Sequence, residues 1–257
     1  MNKKKWIGLI CGGALLVLGI VLSVITRSAA LAEDATAAQT IPFALGLILL
    51  VAGVLVCVVG LLPPRKKMDV RTLTLAALFT ALCYIGFTYC KIDIPVGAEK
   101  TAFHLGNVFC VLAALLLGGF WGGMSGAIGM TLADLTTAYV TSAPKTFILK
   151  LCIGLIVGLF AHKVFGLSQE KERKIPLPAA TAISCIGGMA FNMVADPVLG
   201  YFYKMYVLGV PQQAASIWAK MGAVTTAVNA VIAVIAATVF YLALRPALKR
   251  MKMLPQL

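Results

Sequence analysis

The sequence predicts an all-α polytopic membrane protein, and three observations carry that prediction. Of its 257 residues, 61% are hydrophobic and only 12% are charged, against about half and about a quarter in a soluble domain. The mean hydropathy is +0.97. The apolar residues fall into runs near the ~20 residues that a spanning helix needs, separated by short polar breaks. This composition excludes a soluble enzyme, a disordered chain and a collagenous one.

Eight helices are predicted, near 6–25, 41–62, 72–90, 105–119, 121–140, 144–162, 178–199 and 218–244. The first follows Lys3, Lys4 and Lys5 and precedes Ala30-Leu31-Ala32, which resembles a signal-peptide cleavage site. Its apolar run exceeds the roughly 7–15 residues of a signal core, so it is read as an uncleaved helix. The second stops at Pro63-Pro64, where the basic run Arg65-Lys66-Lys67 begins. That point separates residues 1–68, a two-helix transmembrane extension, from 69–257, a six-helix module.

The net charge of +13 comes from 22 Lys and Arg against 9 Asp and Glu. Its distribution gives the orientation. Basic clusters precede the first helix, follow the second (Arg65, Lys66, Lys67, Arg71), follow the sixth (Lys163, Lys171, Arg173, Lys174) and follow the eighth (Arg245, Lys249, Arg250, Lys252). The opposite side receives only Arg27, Lys91, Lys100, Lys145 and Lys204. Positive residues collect in cytoplasmic loops, so both termini are expected in the cytoplasm and the chain is expected to be multi-pass in a lipid bilayer. The basic excess is therefore topological, and no nucleic-acid partner is expected. The seven cysteines (Cys11, Cys57, Cys83, Cys90, Cys110, Cys152 and Cys185) fall in or beside apolar runs without a Cys-x-x-Cys pair, and read as small helix-packing residues.

No G-x-x-x-x-G-K-[ST] phosphate loop and no H-E-x-x-H pair occurs. The two histidines, His104 and His162, are expected on opposite sides of the membrane. No catalytic residue, metal site or cofactor is predicted. Small residues recur every four positions: Gly118, Gly122 and Gly126 in one series, Ser125, Gly129 and Ala133 in another. These are expected to let helices approach closely. Ala77 and Ala81 form a similar face on the first helix of the module, facing either a neighbouring helix or another subunit.

Polar groups inside a membrane are costly and mark cavities or partners. Counting depth at about 1.5 Å per residue places Asn107, Asp134, Lys150, Asn192, Asp196 and Asn229 in the outer half of the module. The loop with Asp93, Glu99, Lys100 and His104 lies above them. Lys145 and Asp196 are near enough to the headgroups to snorkel. The convergence predicts an outward-opening ligand pocket, with Tyr139, Phe147, Tyr201, Tyr203, Tyr206 and Trp218 available to stack on a flat ring.

The ordered stretches Phe103-His104-Leu105-Gly106-Asn107, then Ala133-Asp134-Leu135, then Ala143-Pro144-Lys145-Thr146-Phe147-Ile148-Leu149-Lys150 resemble the membrane-embedded S components of energy-coupling factor (ECF) transporters. The likeness covers about residues 70–245. It implies a six-helix, substrate-capturing subunit in a prokaryotic cytoplasmic membrane, without its own ATPase. Such a subunit works with a transmembrane coupling subunit and two ABC-type ATPases to import a small heteroaromatic vitamin or vitamin precursor, such as a pyrimidine thiamine precursor or a vitamin B6 form. The resemblance maps the coupling-subunit contact to Ala77 and Ala81 and the gating loop to residues 91–101. The expected substrate-binding residues are Glu99, His104, Asn107, Asp134, Lys150, Asn192 and Asn229. Asn107 stands where the family commonly has Asp, and the two N-terminal helices are additional to its usual unit. Two other readings compete: a self-sufficient ion-coupled secondary transporter using Asp134 and Lys150, and a non-transporting membrane scaffold.

Overall fold

The computed structural model describes residues 3–30, 69–97, 99–168 and 175–251, together with positions 42, 45, 46, 49 and 53. The chain divides into two compact units, Met1–Leu62 and Pro63–Leu257. The first contains helix α1 (Lys3–Ala30). Most of the second predicted helix, the boundary through Met68, Cys57, Lys171, Arg173, Lys174 and Lys252 lie outside the described residues. The positions of that helix that are described are helical and pack on α1. A Cβ on Gly46 would lie 2.7 Å from Ser23 Oγ, and one on Gly53 would lie 2.7 Å from the Leu16 backbone nitrogen. Rising numbers on one side meet falling numbers on the other, so the two segments run antiparallel.

The second unit is built from α2 (Val70–Thr88), β1 (Lys91–Val96), β2 (Glu99–His104), α3 (Gly106–Leu117), α4 (Gly119–Leu135), α5 (Ala143–Gly158), α6 (Leu177–Tyr206) and α7 (Gln212–Arg250). A 3-10 turn, Val140–Ser142, leads into α5, and a π-helical stretch, Leu159–Val164, continues it. Among the described residues, four segments are long and apolar enough to span a membrane: Val70–Thr88, Val140–Val164, Leu177–Tyr206 and Gln212–Arg250. The all-α membrane class is therefore observed, with one addition. The segment read as a gating loop is an antiparallel β-hairpin in which Lys91 pairs with His104 and Val96 with Glu99. Alternation of Ile92, Ile94 and Val96 suits a strand, and Gly97, with φ of 62°, opens the two-residue turn that positive-φ geometry requires.

The centre of this unit is α3, which is buried along its whole length. Gly118, with φ of 83°, ends it and starts α4 at once. Helix α4 then packs at backbone distance against its neighbours. A Cβ on Gly122 would fall 2.3 Å from Ala114 Cα, one on Gly126 would fall 2.2 Å from Cys110 Sγ, and one on Gly129 would meet the Thr80 carbonyl. Gly154 and Gly158 of α5 bring their backbone equally close to Gly123 and Gly119. The four-residue spacing thus does what the sequence predicts: it removes side chains where helices touch.

One local expectation changes. Cys83, Cys110, Cys152 and Cys185 are buried packing residues, but Cys11 and Cys90 are exposed, Cys90 because it lies in the link between α2 and the hairpin. His162 and His104 do lie at opposite ends of α3. His162 donates from Nε2 to the carbonyl of Ala114, near the end of α3, and its Nδ1 meets Ser168 Oγ.

Candidate functional site

The elements that converge at the hairpin end enclose a cavity of about 140 Å³. Its walls come from the hairpin and from α4, α5, α6 and α7. Helix α7 contributes the longest wall, and its sequence explains why. Trp218, Gly222, Thr225, Thr226 and Asn229 recur at three- and four-residue steps and so share one face. Val224, Val228, Val231 and Ile235 fall on the other side and are exposed, which suits lipid.

The hairpin is fastened to that wall by side chains of α7. Asn229 engages two backbone groups: the His104 N–H donates to its Oδ1 at 3.0 Å, and its Nδ2 donates to the Ala102 carbonyl at 2.9 Å. Thr101 and Thr225 hydroxyls meet at 2.7 Å, and Trp218 Nε1 donates to the Val96 carbonyl at 3.0 Å. Across the hairpin, Tyr139 donates to Asp93 Oδ1 at 2.9 Å, and Asp93 also pairs with Lys91 at 3.1 Å. Phe87, near the end of α2, packs on the rings of both His104 and Tyr139. The roof is thus held by hydrogen bonds to α7 together with the burial of Val96 and Ala102.

Beneath it, Lys145 of α5 and Asp196 of α6 form an ion pair at 2.7 Å, and the other Asp196 oxygen accepts from Thr226 at 2.7 Å. Gly200, one turn beyond Asp196, leaves room for the ammonium, since a Cβ there would lie 3.2 Å from Lys145 Nζ. This corrects the snorkelling expectation. Both groups line the cavity and satisfy one another because α5 and α6 pack side by side, a proximity that depth along each helix does not reveal.

The expected site residues separate into groups. His104, Asp134, Lys150 and Asn229 line the cavity. Asn107 and Asn192 do not, although both are buried and both have an Oδ1 without a partner. Asn192 lies one turn from Asp196 on the same face of α6, beyond the cavity, and Asn107 sits in the first turn of the enclosed helix α3. Glu99 opens β2 opposite Val96, and its side chain lies outside the described ones. Asn229 is in the wall, and both ends of its amide are engaged by the hairpin. His104 closes β2, outside the helical spans. Burial, reinforced by the nearby positive charge of Lys150, pushes its imidazole down to about 3, so it is neutral at physiological pH. Among the described residues no group of His, Cys, Asp or Glu is arranged to hold a metal ion.

Thr226, Thr225, Thr101 and Thr146 line the cavity without having been singled out in the sequence. The periodic face of α7 was the available signal for two of them. Ala77 and Ala81 are exposed on α2, along with Leu73, Leu78 and Ile85. The face therefore does not pack inside this unit.

A helical membrane bundle with a roofed polar cavity has the build of a membrane transport subunit. The sequence model of the family described as ECF-type riboflavin transporter, S component, matches residues 67–246, and the chain belongs to that family. It is thus a vitamin-transporter subunit. A protein of Pyrococcus woesei, described only as an uncharacterized protein in a gap 3' region, is 28% identical over 120 residues, 47% of this chain and 70% of that one. No solved structure matches.

Proposed function

We propose that the chain captures a small heteroaromatic vitamin or vitamin precursor in the cavity under the hairpin and delivers it as the substrate-specific subunit of an ATP-driven ECF importer. The observation that supports this most is the cavity itself. Buried polar side chains from separate helices face one space, roofed by a hairpin that side-chain hydrogen bonds fasten to α7. Residues 69–257 form the substrate-binding module, and residues 1–68 are an extension to it. His104, Asp134 and Lys150 contact the ligand, with Glu99, Asn107 and Asn192 around them, and Asn229 controls the hairpin. The family description names riboflavin, which places a flavin first among the compounds to test, beside pyrimidine and pyridine vitamins.

The partners are a transmembrane coupling subunit and two ABC-type ATPases in a prokaryotic cytoplasmic membrane, with both termini of the chain on the cytoplasmic side. The exposed small face of Ala77 and Ala81 is where the coupling subunit docks. The test is mass spectrometry of the small molecule released when the purified chain is denatured, followed by uptake of that molecule. Uptake should require co-expression of the coupling subunit and ATPases and should stop on ATP depletion. Uptake by the chain alone that collapses with an uncoupler would overturn the proposal.

A further inference from the structure

The polar groups of the cavity are not all matched, and two of its buried polar atoms have no partner. Asp196 is engaged at both oxygens, by Lys145 and Thr226, and Asn229 at both Oδ1 and Nδ2, by the hairpin. Asp134, 2% exposed, keeps an Oδ2 without a partner, and His104 keeps an Nδ1 without one. Lys150, 7% exposed, belongs to neither ion pair found among the described residues. All three line the same cavity, from α4, the hairpin and α5. An acceptor-only oxygen and a donor-only ammonium thus line one cavity, near enough for each to feel the other's charge. Buried groups of this kind are ordinarily partnered, so each is a statement about what is bound there.

A carboxylate or phosphate placed in that corner would satisfy Lys150 but face the Asp134 oxygen, and an ammonium would do the reverse. A neutral edge with a donor next to an acceptor satisfies both without carrying a net charge out of water. We propose that the ligand inserts such an edge, an imide or lactam N–H/C=O or an amidine NH₂/N=, with Asp134 accepting from its donor and Lys150 donating to its acceptor. His104 Nδ1 is placed to meet a second polar atom of the same ring. This rests on the reading of the cavity as the vitamin-capture site and adds the chemistry it selects.

The experiment uses the full chain in lipid nanodiscs and two probe pairs: lumichrome with its imide-N-methyl derivative, and 4-amino-2-methylpyrimidine with its 4-dimethylamino derivative. One parent should bind, and methylation of its donor should weaken binding about thirtyfold, the loss expected for a hydrogen bond to a charged acceptor. In Asp134→Ala the methylation penalty should vanish. Lys150→Met, which keeps much of the side-chain length, should weaken parent and methylated probe alike. Asp134→Asn, checked for an unchanged melting temperature, guards against a folding defect and should reduce the penalty. Equal binding of parent and methylated probes by the wild type would overturn the inference. So would failure of both pairs together with Lys150-dependent binding of an anionic ring such as nicotinate. If ATP-dependent vitamin uptake persists in either case, the edge chemistry falls and the transport reading stands; if no vitamin is bound or taken up, both fall.

Discussion

Removing the Asn229 amide is the most direct way to ask whether the hairpin is a gate. Asn229→Ala deletes two hydrogen bonds, to His104 N and Ala102 O, and leaves the Thr101–Thr225 and Trp218–Val96 links in place. Each lost bond contributes about 0.5–1.5 kcal/mol net, and a backbone group left buried without a partner costs about 1–3 kcal/mol. The two backbone groups regain water when the hairpin lifts, so together the change disfavours closure by roughly 2–3 kcal/mol, about 30- to 150-fold in the open population. The closed state is destabilised equally with and without ligand, so equilibrium affinity should stay within about threefold while both exchange rates rise. Stopped-flow measurement of ligand dissociation from nanodiscs, beside an equilibrium titration, reads the two quantities separately. A dissociation rate equal to that of the wild type refutes the gate. Loss of binding together with thermal stability also refutes it, because Asn229 would then be holding the bundle rather than its roof.

Three further outcomes follow from the same geometry. Ala77→Trp or Ala81→Trp should leave ligand affinity and melting temperature unchanged, since both positions are exposed, while ATP-dependent uptake and ATPase co-purification fall together; overpacking a close interface costs about 1–3 kcal/mol. Asp196→Ala strands the Lys145 ammonium and frees Thr226; the pair is partly exposed, so the loss should be about 1–3 kcal/mol rather than the larger figure for a fully buried pair, and Lys145→Met in the same chain should recover much of it in a thermal melt. His104 binds its proton far more weakly folded than unfolded, with a value of about 3 against an ordinary 6.5. The unfolded chain therefore takes up the proton first as pH falls, and stability should decline between about pH 6.5 and 3 by up to about 1.4 kcal/mol per pH unit from this group. A wild-type acid slope no steeper than that of His104→Asn would remove the histidine from this role.

The helices were legible in the sequence because a run of apolar residues long enough to cross a bilayer has few alternatives. The small-residue series of α4 was legible for a related reason: four-residue spacing fixes one face, and only a close neighbour explains a face without side chains. The hairpin was not, since residues 91–104 lie between two strong apolar runs and their alternation is short. The end of the unit at which Asn107, Asn192 and Asn229 lie was legible, but rotation about the helix axis was not. Two asparagines at the right level face the interior beyond the cavity, and the third faces the cavity with its amide already engaged. Lys145 and Asp196 are 51 residues apart, so only the packing of α5 on α6 could bring them together.

That packing also decides which part of the site is firm and which can yield. Contacts of α4 with α2, α3 and α5 are made through glycines at backbone distance, so rotating or separating these helices would open voids or drive side chains into backbone. Asp134 stands on α4 and Lys150 on α5, within this close-packed slab. The hairpin, by contrast, is joined to α7 by hydrogen bonds, which water can replace at a net cost of about 1 kcal/mol each. A wall that resists displacement holds Asp134 and Lys150, and a roof whose hydrogen bonds water can replace covers them. On the proposed reading, selectivity belongs to α4 and α5, and the rate of entry to the hairpin. A substitution that changes one need not change the other.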